Sequence, residues 1–113
     1  MPVNRFDVKF SRFIADGKPW GDVGPYEELR GTLHFDIDPE HSANERITDV
    51  ELAPRNADGR VEFSADVSII LPVDRSKASG KMILDVVNRG NRVALPNFNR
   101  ATRPNINSDT PID

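Results

Sequence analysis

Cysteine is absent from this chain of 113 residues. Its absence excludes disulfides, thiolate metal sites and a cysteine nucleophile, and leaves the cellular compartment open. Long apolar runs are missing as well. The longest apolar patch, around residues 67–73, falls far short of the ~20 residues that a membrane-crossing helix needs. The opening, MPVNRFDVKF, is studded with charges and holds no apolar core of signal-peptide length. No membrane partner is therefore expected, and the default expectation for the compartment is the cytoplasm. An excess of positive charge is missing too. Net charge is −3 and the isoelectric point about 5.3, so no global basic field recruits nucleic acid. No segment holds a 3.6-residue apolar period over helical length, and no stretch repeats another.

The motifs of catalysis are equally scarce. None of Ser11, Ser42, Ser64, Ser68, Ser76, Ser79 and Ser108 has glycine two residues away on both sides, so there is no nucleophile elbow. His34 falls on the polar side of an alternating run and His41 in a polar connection, and both read as solvated surface histidines. Asp36, Asp38 and Glu40 resemble the start of a calcium loop. The likeness stops at His41, where the sharp turn needs glycine, and at Ile47, where a bidentate carboxylate belongs. Gly17-Lys18-Pro19 and Gly80-Lys81-Met82 lack the upstream glycine and the following hydroxyl of a phosphate loop. No catalytic residue, metal or cofactor is expected.

What the chain does contain is alternation. Hydrophobic residues make up 37% and charged residues 29%, with a mean hydropathy of −0.51, the balance of a water-facing globular chain. Phe6, Val8 and Phe10 alternate with polar residues, then Leu33, Phe35 and Ile37 do the same, and Ile47 to Ala53 is a shorter candidate strand with Val50 and Leu52 on one face and Ile47 out of phase. The clearest run places Val61, Phe63, Ala65, Val67, Ile69 and Leu71 on one side of a strand, with Glu62, Ser64, Asp66 and Ser68 on the other. Asp58-Gly59 marks a hairpin leading into it. Residues 82–87 differ. Met82, Leu84 and Val86 share one face and Ile83 with Val87 the other, so this strand is apolar on both sides and wants cover on both. It is expected to pair antiparallel with the run from Val61. The expected fold is mainly β, an antiparallel sheet or sandwich of about five strands, in a domain or part-domain spanning residues 1–95. Residues 96–113, rich in proline and asparagine, are expected to form an extended or disordered tail.

Two places stand out as docking or ligand candidates. Trp20 and Tyr26 lie on a Gly/Pro loop and offer faces for a sugar or peptide, or else plug the end of a small core. Asn88, Arg89 and Asn91 surround Gly90 at the end of the doubly apolar run. Arg89 brings a planar fork of donors, the asparagines answer backbone groups, and the tetrapeptide reads either as a docking element or as a structural turn braced by Arg89. Arg89, Arg92, Arg100 and Arg103 with Phe98 form a basic stretch, whose natural counter-charge is the acidic segment 36–51 of the same chain rather than a nucleic acid.

Taken in order, Gly24-Pro25-Tyr26-Glu27 with Gly31, Phe35-Asp36-Ile37-Asp38-Pro39, Ile47-Thr48-Asp49-Val50, Ala53-Pro54-Arg55-Asn56, Gly59-Arg60-Val61-Glu62-Phe63 and Asn88-Arg89-Gly90-Asn91 resemble the amino-terminal region of large proteins of the alpha/beta-hydrolase-domain class. The resemblance implies an accessory β region of a serine-type ester or amide hydrolase whose catalytic body follows this portion. It carries over no catalytic residue, since no position here matches the elbow or its partners. The partner so implied is that hydrolase portion. The alternatives are an independent β-sandwich binding module and a self-associating interaction domain.

Overall fold

Alternation does make strands here, three long ones among the described residues where about five were expected. The computed structural model describes residues 3–101 and 111–112. Strands β1 (Val3–Phe13), β2 (Tyr26–Ile37) and β3 (Val61–Pro72) form one sheet in the order β1-β2-β3. Ile14 N–H donates to the Tyr26 carbonyl and Val73 N–H to the Pro25 carbonyl, each at 3.0 Å. Residues just past the ends of β1 and β3 thus meet the start of β2, so both outer strands run antiparallel to it. The remaining regular elements among the described residues are short 3₁₀ turns and one six-residue helix, α1 (Ala94–Asn99).

Contacts divide the chain into two compact units. The first holds the described residues of Met1–Lys9 with Gly31–Val67. Its core is Ile37, Val50 and Val61, with Ala53 packed against them. The rings of Phe35 and Phe63 stack with centroids 4.9 Å apart. Gly31 sits where β1 and β2 approach closely. A Cβ there would lie 2.0 Å from the Asp7 carbonyl oxygen, so only glycine fits. The expected Asp58-Gly59 turn is present. Asn56 Oδ1 accepts from the Asp58 and Arg60 amides at 3.0 Å, and Gly59 takes φ +75°.

The turn does not join two strands, because residues 47–53 form none. Val50–Leu52 is a 3₁₀ turn preceded by Asp49 in the left-handed region. Ile47 and Val50 are spaced by three, and the Val50 amide donates to the Ile47 carbonyl at 3.3 Å. That spacing satisfies a tight turn and puts Val50 in the core, while Leu52 is left in solvent.

The second unit holds the described residues of Phe10–Arg30 with Ser68–Asp113. Here the buried strand positions include Glu28, Arg30 and Pro72, with Ile14 just past β1. Ser68, expected on the wet side of β3, is half-buried and donates to Glu28. The expected strand at residues 82–87 does not form, and its pairing with β3 is absent. This stretch is tied down locally instead: Asp85 accepts from the Val93 and Ala94 amides, both at 2.9 Å, at the start of α1. The tail also departs in part from its expectation. Pro96 to Asn99 lie in α1, and Ile112, 3% exposed, accepts the Ala15 amide at 2.9 Å. Residues 102–110 and 113 of that tail lie outside the described residues.

Candidate functional site

Glu28, near the start of the central strand β2, has no exposed surface. A lone carboxylate there would be neutralised by burial. Three donors prevent it. Ser68 Oγ donates at 2.6 Å from β3, Arg12 Nε at 3.0 Å from β1, and Arg92 Nη2 at 2.5 Å from the segment before α1. Burial is the largest single influence on this group and pushes its pKa up. The hydrogen bonds from Ser68, Arg92 and Arg12 and the Arg92 charge together outweigh it, so Glu28 is held below the ordinary glutamate value. An ionised carboxylate saturated with donors is a poor proton shuttle. Its chemistry is that of an anchor, pinning both outer strands and the chain around Arg92 to the middle of the sheet. Arg92 is itself buried, and its Nε finds no acceptor.

Arg92 reaches Glu28 because of the turn before it. Arg89 at φ +53° and Gly90 at φ +74° give the paired left-handed geometry of a type I′ turn. The Asn91 amide closes it onto the Asn88 carbonyl at 3.0 Å, and Asn88 and Asn91 form an antiparallel bridge. Asn88, Arg89 and Asn91 are exposed. Of the basic stretch, Arg92 is spent on Glu28, Arg89 and Arg100 face solvent, and Arg103 lies outside the described residues.

The aromatic candidates do come together. Ile14, Trp20, Tyr26, Ile70, Leu95 and Asn99 line a cleft of about 250 Å³ in the second unit. The loop is less irregular than its composition suggests: a short 3₁₀ turn, Gly21–Val23, lets the Trp20 amide reach the Gly24 carbonyl at 2.9 Å. Gly24, at φ +83°, closes that turn in a backbone shape few other residues tolerate. The indole stays 43% exposed, with Lys18 Nζ 5.0 Å from its ring centre. The turn 88–91 does not line this cleft.

Beside these features lies an unspent apolar run. Met82, Ile83, Leu84 and Val86 are 85%, 72%, 77% and 84% exposed. Among the described residues, the backbone of 82–87 makes no hydrogen bond. Only Asp85 and Val87 are half-covered.

Sequence reasoning singled out Trp20, Tyr26 and the turn 88–91, missed Glu28, Arg12 and Ser68, and gave Arg92 the acidic segment 36–51 as counter-charge where the structure gives it Glu28. A charged residue in an alternating strand normally faces water, so nothing local marks Glu28 as buried. Both histidines have structural partners. His34 Nε2 lies 2.8 Å from Asp7 in the first unit, and His41 Nδ1 accepts the Ala43 amide at 3.1 Å. Asp36 pairs with Arg60 at 2.8 Å and Glu40 with Arg55 at 3.1 Å, and among the described residues no three His, Cys, Asp or Glu side chains converge as metal ligands. No described helix is long and apolar enough to cross a membrane. No protein-family model, characterised protein or solved structure matches the chain.

Proposed function

We propose that this chain is the accessory, non-catalytic β region of an alpha/beta-hydrolase-like protein, and that residues 82–87 are where it joins the catalytic body. The observation that carries the reading is the exposure of Met82, Ile83, Leu84 and Val86. Residues 82, 84 and 86 would point one way in an extended strand, and 83 and 87 the other. A strand apolar on both faces belongs inside a sheet covered on both sides, and parallel sheets layered by helices are the common case. A backbone free of hydrogen bonds is ready to add to such a sheet edge. The order of motifs in the sequence points to the same class of body, and Glu28 would hold the adjoining turn and α1 rigid while the run is engaged.

Reading the native gene past the codon for Asp113 tests this. A Gly-x-Ser-x-Gly elbow between a strand and a helix in the same frame is the expected result. A stop codon there, together with a stable monomer of this length, overturns it. Self-association rests on the same exposed run. A dimer in sedimentation that Ile83→Lys with Leu84→Asp dissolves would assign the run to a second copy of the chain instead.

A further inference from the structure

We propose that the cleft bounded by Trp20 and Tyr26 binds a small molecule in which a short arm joins one aromatic ring to a carboxylate. The size of the space sets the first limit. A dry cavity of roughly 150 Å³ accepts benzene, and drug-sized ligands take roughly 300 Å³ or more. About 250 Å³ therefore suits one ring and a short arm. The walls set the second. Ile14, Ile70 and Leu95 supply aliphatic surface and Trp20 and Tyr26 supply two ring systems, against which an aromatic guest packs face or edge.

The polar groups set the third. Among the described residues, the Tyr26 hydroxyl, the Trp20 indole N–H and the Asn99 amide make no hydrogen bond. A few unspent donors in an apolar cleft are what fix a ligand's orientation. Among the described residues no acidic side chain lines the cleft, and the Lys18 ammonium lies over its indole wall, 5.0 Å from the ring centre. Lys18 makes no ion pair among the described residues, so its charge is available to an anionic group. The simpler role for Trp20 and Tyr26, plugging the end of a core, leaves two facts unexplained. A plug fills its space, whereas here the space remains, and the indole is 43% exposed. This inference does not depend on the chain belonging to a hydrolase.

Trp20 is the single tryptophan of the chain, so its emission and its indole N–H resonance report on this site alone. Titrating the intact chain with 3-phenylpropionate should give a saturable change in both. The neutral 3-phenylpropanamide should bind about threefold to fivefold more weakly, the fold-change of one exposed ion pair. Lys18→Gln should abolish that difference and leave amide binding unchanged. Ile70→Phe, which fills the cleft, should weaken both ligands at least about tenfold, the equivalent of ~1.4 kcal/mol, with the circular dichroism spectrum retained. Should Ile70→Phe fail to fold, the Lys18→Gln comparison still decides, because that side chain is exposed. No saturable change up to about 10 mM, near the weak end of measurable affinity, overturns the proposal. So does equal binding of acid and amide by the parent chain, or binding that both substitutions leave untouched.

Discussion

Glu28 ties together three side chains of the second unit. Ser68, Arg12 and Arg92 all turn to it, so removing its charge takes the counter-charge from the buried Arg92. Glu28→Gln should therefore cost about 3–5 kcal/mol, the range for breaking a buried ion pair from one side. Urea unfolding followed by circular dichroism measures it, and a loss under about 1 kcal/mol, the range of an exposed pair, would show that the network is worth little. The same residue sets a pH dependence. Its folded-state pKa lies below the ordinary 4.5, so the unfolded chain takes up the proton first. Its stabilising contribution is whole above pH 4.5 and disappears as pH falls through the depressed value. Asp36, Asp74 and Asp85 are also lowered, by hydrogen bonds from Arg60, from Ser76, and from the Ala94 and Val93 amides, and they act below their ordinary 3.8. Denaturation midpoints measured from pH 7 to pH 3 should thus fall for the parent chain, with the upper part of that fall missing in Glu28→Gln.

Among the elements, the turn 88–91 is strained in an informative way. Arg89 occupies a left-handed position that asparagine or glycine fills more easily. Arg89→Asn should raise stability by about 0.5–1 kcal/mol if the turn is only structural. Gly90→Ala, at φ +74°, should lower it by about 1–2 kcal/mol. Thermal unfolding of the two variants checks both signs, and a loss in Arg89→Asn would mean that the arginine holds the turn itself. Neighbouring α1 is too short to persist alone. Asp85 accepts from the first α1 amide, Ala94, and from Val93 just before it, so Asp85→Ala should speed hydrogen exchange of the α1 amides while those of β2 stay protected.

For the molecule as a whole, the apolar surface at 82–86 is unbalanced by anything in its own unit. Single exposed hydrophobes are ordinary, whereas consecutive ones make a contiguous apolar patch. The isolated chain should bind a hydrophobe-sensing dye. Ile83→Lys with Leu84→Asp should reduce that binding while moving the urea midpoint by no more than about 0.5 kcal/mol in stability, since exposed side chains contribute little to folding. Unchanged dye binding in the variant would place the sticky surface elsewhere, with the exposed Phe13 and Phe98 the next residues to test.

Local pattern was enough to reveal a mainly β chain without cysteine, the strand from Val61 and the Asn56–Gly59 turn. Each of these is written in residues within a few positions of one another. Apolar patterning, alternate at 50–52 and continuous at 82–84, also suggested strands at 47–53 and 82–87 that do not form. Alternation reports only which side of a strand would be greasy, and says nothing of whether a neighbour is there to pair with it. The burial of Glu28 was decided in three dimensions alone, because its partners Arg12, Ser68 and Arg92 lie 16, 40 and 64 positions away. The cleft, too, needed residues from Ile14 to Asn99 brought to one place. Contacts so distant along the chain leave no periodic trace in it; they exist only once the sheet has set which strands are neighbours.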